Sequence, residues 1–323
     1  MIEKQAKKSA SCVILWDELT QAQWEERFAA LRRSSLLQSL PYGRAAARIN
    51  HQTVHHGLIT IEGREAGLVQ VLEAGILGGA LQGVVLDRGP HWFKGYGSRR
   101  DFEVFMQGFS ARYPKRFGRR VRIIPDMPGG ADITGTMRGY GYALKGAPCY
   151  ETIWLDLRPE HDALRARLKP SWRNKLRRGE KAGLAVAISD TGAYYDWLLT
   201  CYARDKKERG YDGPSVKMLV ALAREFLVGK KMLTACALLD GAPIAAIVVF
   251  IHGSSATYQT GYTTEEGRRK CAHHLLLWRV MQDLKERSVY DFDLGGLTGE
   301  ASGLTAFKKA LGGELVRSAG LYC

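Results

Sequence analysis

Leu233-Thr-Ala-Cys-Ala-Leu-Leu-Asp240-Gly241-Ala-Pro-Ile-Ala-Ala-Ile-Val-Val-Phe250 decides the fold. An acidic residue and a glycine interrupt an otherwise apolar run, which predicts strand, tight turn, strand. The same break argues against reading Leu233–Ile251 as a membrane span. Downstream, the pattern predicts a strand over Ser255–Thr260, a polar loop over Thr263–Lys270, a helix over Ala272–Lys285 and a strand over Val289–Leu294. An earlier stretch has the same order. A hairpin turns at Glu62-Gly63, a strand covers Gly79–Asp87, a helix Asp101–Tyr113 and a strand Arg120–Ile124, before the Pro-Gly loop Pro125–Gly130. An amphipathic helix is predicted over Leu15–Ser34, with Trp16, Trp24, Phe28 and Leu31 near one face. One order met twice predicts a duplication: two tandem α/β (α+β) domains, each a mixed central sheet flanked by helices. The expected domains are residues 1–160 and 161–323, the second opening with a basic helix.

Bulk properties agree with two domains. A chain of 323 residues exceeds one ordinary core, and 46% hydrophobic residues exclude disorder. The 47 Lys and Arg against 33 Asp and Glu leave a formal charge of +14, which favours polyanionic partners. Six cysteines at 12, 149, 201, 236, 271 and 323 form no CxxC pair and no metal-ligand spacing, so no metal is expected and the thiols read as reduced. Met1–Ser9 is basic, but no apolar signal core follows. A cytoplasmic protein without a transmembrane segment is expected, with visits to a membrane surface left open.

Two segments carry candidate chemistry. In Leu164–Gly183, eight Lys or Arg lie between 165 and 181, Pro170 suits a helix start and Gly183 suits its end. Leu176 can face a core while Arg173, Lys175, Arg177, Arg178 and Lys181 cover the remaining surface. That surface suits a nucleic-acid backbone, or is simply a solvated face. The second segment is Tyr290-Asp291-Phe-Asp293-Leu-Gly295-Gly296, followed by Phe307-Lys308. A strand ending in two glycines permits close backbone approach or a tight turn. Lys308 can supply positive charge to an oxyanion or to phosphates, or is a surface lysine beside a buried Phe307. Asp291 and Asp293 share one strand face, where either can orient an amine or accept its proton. Glu300 is a candidate by position. Tyr258 and Tyr262 flank Thr260-Gly261 and read as pocket-lining or core aromatics. For His273-His274, at the start of a helix, the expectation is one packed and one solvated. No Ser-His-Asp or Cys-His arrangement is evident.

These residues resemble the Fem-type (FemABX-like) aminoacyltransferases, the peptidoglycan interpeptide-bridge enzymes. Three stretches carry the resemblance: Leu36–Arg44, Leu168–Gly183, and Asp291–Leu297 running on to Phe307-Lys308 and Gly312-Gly313. Their order and separation match over nearly the whole chain. The resemblance implies two tandem GNAT-like acyltransferase domains, an aminoacyl-tRNA donor and no separate cofactor. It further implies an acceptor amine, on a peptidoglycan precursor or a small metabolite, that attacks the aminoacyl ester. It places Lys308 at the transfer site with Phe307, Gly295 and Gly296. It also matches Arg44 to a basic residue that holds a phosphorylated acceptor, where the family pattern commonly has lysine; Tyr42 lies in the same segment. No segment has the length and heptads of the helical arm found in some members. A monomer is compatible with two halves supplying the cleft.

Two other classes stay open. An acyl-CoA N-acyltransferase on the same fold normally has a glycine-rich pyrophosphate loop before a helix, but Glu266-Gly-Arg-Arg-Lys-Cys-Ala-His-His274 has one glycine. A non-catalytic RNA-binding protein explains the basic helix but needs neither the paired glycines nor Phe307-Lys308.

Overall fold

The computed structural model describes residues 11–127, 130–145, 150–297 and 303–323. These form two compact units. The first holds residues 11–31, 53–127, 130–145 and 319–323; the second holds 32–52, 150–297 and 303–318. A single cut at residue 160 therefore does not divide them, because the chain passes between units near 31, 52, 148 and 318.

In chain order the first part contains β1 (Cys12–Trp16), α1 (Gln21–Ala29), α2 (Leu40–Asn50), β2 (Thr53–Ile61) and β3 (Arg64–Ile76). There follow β4 (Leu81–Gly89), β5 (His91–Trp92), α3 (Arg99–Arg112), β6 (Arg119–Pro125) and α4 (Ala131–Gly139). All but α2 lie in the first unit. Its sheet runs β1-β2-β3-β4-β6, with β5 on β3, and only β4 and β6 are parallel. The β2–β3 turn is the two-residue Glu62-Gly63, both at positive φ (52° and 76°), which matches the strand twist. Phe102, Phe105 and Phe109 of α3 pack over Val69, Val84 and Ile123. Tyr322 joins this core and pairs through its backbone with Ile123.

The predicted helix over Leu15–Ser34 is shorter and later than expected. Cys12–Trp16 is an edge strand on β2. Its Val13-Ile14 pair favours extended backbone, and Asp17 then turns the chain at φ 60°. The helix starts only after Thr20, whose side chain and that of Gln23 cap each other's backbone N–H.

The second unit continues with β7 (Glu151–Asp156), α5 (His161–Arg167), α6 (Pro170–Glu180), β8 (Ala185–Ser189), α7 (Tyr195–Arg209) and α8 (Val216–Leu227). Next come β9 (Met232–Leu239), β10 (Ala242–His252), β11 (Ser255–Thr263), α9 (Glu265–Arg269) and α10 (Ala272–Glu286). The last elements are β12 (Asp291–Asp293), α11 (Gly303–Lys309) and β13 (Glu314–Arg317). Sheet order is β13-β7-β12-β11-β10-β9-β8, with only β11 and β12 parallel. Hairpin, strand, helix and parallel strand therefore occur in both units. β7 belongs here because β12 and β13 flank it.

The deciding apolar run is buried on both faces. Ile247, Val249 and Ile251 of β10 pack on the side of α6 and α10. Ala246, Val248 and Phe250 pack on the side of α7 and α8. Helices cover both faces, so the run shows no polar alternation. α2 packs against α8, which is why residues 32–52 belong to this unit. Among the described residues no helix is long and apolar enough to cross a membrane.

Candidate active site

β12 sends Phe292 into the α6/α10 core and turns Asp291 and Asp293 to the other face, both almost fully buried. The two carboxylates then have separate partners. Asp291 accepts from Arg158 at 2.7 and 3.2 Å, and Arg33 Nε lies 3.6 Å away. Arg33 also meets Glu314 at 2.6 Å. Hydrogen bonding to Asp291 raises the Arg158 pKa. This is an ion-pair anchor for the strand, away from the strand-end lysine. Asp293 accepts the Gly295 N–H at 2.8 Å and the Thr152 hydroxyl.

That contact shapes the end of the strand. Gly295 sits at φ 72°, and a Cβ there would lie 2.7 Å from the Tyr258 carbonyl oxygen, so only glycine fits. The carbonyls of Gly295 and Gly296 accept from Lys308 Nζ at 3.2 and 2.8 Å. The ammonium lies 5.6 Å from the Tyr258 ring centroid. Lys308 is 5% exposed. Burial pushes its pKa down to about 8, against an upward pull from Asp293. Lys308, Asp293, Gly295, Gly296 and Tyr258 are therefore brought together.

Phe307 connects this strand end to the basic helix. Its ring meets His273 and His274 edge-on at 5.4 and 4.9 Å, and Trp172 of α6 at 5.9 Å. His273 Nδ1 lies 2.9 Å from the Thr263 hydroxyl and Nε2 3.3 Å from that of Tyr258. Burial, then the charge of Lys308, lowers His273 to about 4. Burial, then His273 and Lys175, lowers His274 to about 3. Both are neutral and packed at neutral pH, so the expectation of one solvated histidine is corrected. The hydrogen-bond chain Thr263–His273–Tyr258 carries no sequence motif and was not legible.

Tyr258 and Tyr262 do not line one pocket. Tyr258 pairs with Val249 and Thr260 with Val248, so Gln259 is an extra residue in β11. It moves the following residues to the opposite face. Tyr262 packs on the α7/α8 side, 5.9 Å edge-on from Trp197, while Tyr258 stays on the α6/α10 side. Tyr42, on α2, packs against the same core as Tyr262, and Arg44 is exposed on that helix. Glu300 lies outside the described residues.

The basic segment is two helices, α5 and α6, broken before Pro170. In α6, Trp172 and Leu176 are buried, Arg173 is half-buried, and Lys175, Arg177, Arg178 and Lys181 are exposed. Lys181 is the helix C-cap, and Gly183 follows at φ 69°. A Cβ on Gly179 would lie 3.0 Å from the Cys271 carbonyl, which shows how closely α6 approaches the start of α10. The predicted polar loop before α10 is instead α9. A Cβ on its Gly267 would meet the Ile244 carbonyl at 2.5 Å, so this glycine serves packing. Among the described residues no group of His, Cys, Asp and Glu could hold a metal ion.

The two units together have a tandem GNAT-like acyltransferase fold, and residues 166–309 match the model of an acetyltransferase (GNAT) domain. Among solved structures the chain is similar to FemX, at 14% identity and TM-score 0.77 over 95% of this chain and 96% of FemX. A protein of unknown function from Bacteroides thetaiotaomicron matches at 11% identity and TM-score 0.61, over 96% of this chain and 98% of that one. A tandem GNAT protein from the clavulanic acid biosynthesis pathway, solved without AcCoA, matches at 16% identity and TM-score 0.52, over 97% of each chain. No curated protein sequence matches. At these identities the likeness establishes the fold.

Proposed function

We propose that this chain is an aminoacyltransferase that moves an aminoacyl group from aminoacyl-tRNA to an amine. The observation that carries the reading is the contact of Trp172 in the basic helix with Phe307, next to the buried Lys308. A surface suited to RNA phosphates thus backs onto a cation held at a strand end. The Fem-type resemblance supports the same donor. Packing of Gly267 into the sheet supports it too, since α9 stands where a CoA enzyme would open a glycine-rich loop.

In this reaction the acceptor nitrogen attacks the ester carbonyl carbon. The bond from that carbon to the ribose oxygen breaks, and the proton lost by nitrogen goes to the ribose oxygen. Lys308, mostly protonated at neutral pH, stabilises the developing oxyanion. Asp293 fixes the Gly295 turn that positions Lys308 and keeps it charged. Arg173, Lys175, Arg177, Arg178 and Lys181 hold the tRNA. Arg44 and Tyr42 meet the acceptor, either a small metabolite or a peptidoglycan precursor. Action as a monomer in the cytoplasm completes the reading. The purified chain is to be mixed with tRNAs carrying labelled amino acids and a set of amines that includes cell-wall precursors. RNase-sensitive label in a new amide is the expected result; no amide from any charged tRNA refutes the donor.

The acetyltransferase-domain match favours one second reading, an acyl-CoA N-acyltransferase. Release of free CoA thiol in a parallel reaction, without tRNA-dependent product, would select it.

A further inference from the structure

The first unit carries a surface that the transfer reaction does not use. β3 runs out to Ile76, β4 begins at Leu81, and Phe117 precedes β6. Ile76, Leu81 and Phe117 are 63%, 43% and 99% exposed. They line one depression of about 550 Å³ with Gln82, Arg119 and Arg120. The guanidinium of Arg116 donates to Gly79 O at 2.7 Å and Ala80 O at 3.3 Å, and that of Arg119 to Pro114 O at 2.9 Å. The apolar tip is thus held on a fixed frame.

Charge around the tip has one sign. Residues 114–122, Pro-Lys-Arg-Phe-Gly-Arg-Arg-Val-Arg, hold five basic residues and no acidic one, and residues 74–83 hold no charge. Glu73, just outside, accepts from Gln82, and Asp87 lies 3.8 Å from Arg122. A phenylalanine wholly in water gains nothing in the folded chain. Aliphatic and aromatic side chains rimmed by arginines suit the boundary of a bilayer, where rings enter the acyl region and guanidiniums meet lipid phosphates.

We propose that this tip docks on an anionic lipid bilayer, with Phe117, Ile76 and Leu81 entering the interface and Arg120 meeting headgroup phosphates. The test is co-sedimentation of the full chain with vesicles of phosphatidylcholine alone or mixed with phosphatidylglycerol. Binding is expected only to the mixed vesicles. Arg120→Glu should weaken it about five-fold or more, and Phe117→Ser about ten-fold. Val228→Ser, at an 88% exposed apolar position in the second unit, should leave it unchanged. Thermal unfolding of Phe117→Ser should match the parent, since the ring packs on little. Equal binding to both vesicle types, or unchanged binding by Phe117→Ser, would overturn the proposal. So would tRNA affinity that falls in Arg120→Glu with no vesicle binding by the parent, an outcome that assigns the arginines to nucleic acid.

Discussion

Lys308 is held by two carbonyls and an acidic neighbour, yet its burial disfavours the charge that the proposed transfer requires. Lys308→Met is expected to slow transfer about 100- to 1,000-fold at saturating donor, with tRNA affinity kept; single-turnover rates and filter binding check both. The folded lysine loses its proton near 8 and the unfolded one near 10.5. Parent stability relative to Lys308→Met should therefore rise with pH across that window, because the unfolded state binds the extra proton. The histidines act at the acid side. His273 and His274 stay neutral down to about 4 and 3 when folded but protonate near 6.5 when unfolded. Stability should fall as pH drops below 6.5, and His273→Gln should flatten that slope in denaturant titrations at stepped pH. Gly295→Ala is expected to cost about 1–3 kcal/mol from its positive φ alone and to displace Lys308. Unchanged stability and rate in that variant would falsify the tight-turn account. Gly295 and Lys308 stood out in the sequence as a glycine pair and a Phe-Lys pair. Thr152 and Arg158 did not, because each acts through a partner far away in the chain, and Thr263 did not, because its contact with His273 follows no motif.

At the level of elements, α6 and β11 teach opposite lessons. The basic helix was legible: Pro170 marks its start, Leu176 faces the core one turn after Trp172, and the charges fall on the remaining surface. Replacing Lys175, Arg177 and Lys181 with Ala should weaken tRNA binding at low salt. It should also lower the slope of log affinity against log salt by ~0.7–0.9 for each phosphate that is no longer neutralised; titrations at several salt concentrations read the slope. β11 was legible as a strand but not in its facing, because one extra residue at Gln259 inverts everything after it. The flanking of Thr260-Gly261 by Tyr258 and Tyr262 therefore gives no sign that the two rings lie on opposite faces. At the N-terminal edge the sequence misled differently: Trp16 fits a helical stripe with Trp24 and Phe28, but the β-branched pair before it and the cap at Thr20 outweigh the stripe. α7 and α8 went unread. α7 carries charge and aromatic residues around much of its surface, and its burial is decided by the sheet it covers.

For the whole molecule, the duplicated order of elements was legible because each hairpin turns on an acidic-glycine pair at positive φ, Glu62-Gly63 and Asp240-Gly241. The division into units was not, since a linear sequence shows no sign that α2 covers α8 or that Tyr322 completes the first core. A fragment of residues 149–318 leaves the side of α8 that packs on α2 open to water. It should unfold with low cooperativity, and a peptide of residues 32–52 should restore a sharp transition by circular dichroism. The exchange of segments also sets an order in time. Every residue of the second unit leaves the ribosome before Tyr322 does, so the unit that is begun first is closed last. Until then Ile123 has no strand partner on that side, and a nascent chain must keep its first core waiting until residues 319–323 have been made.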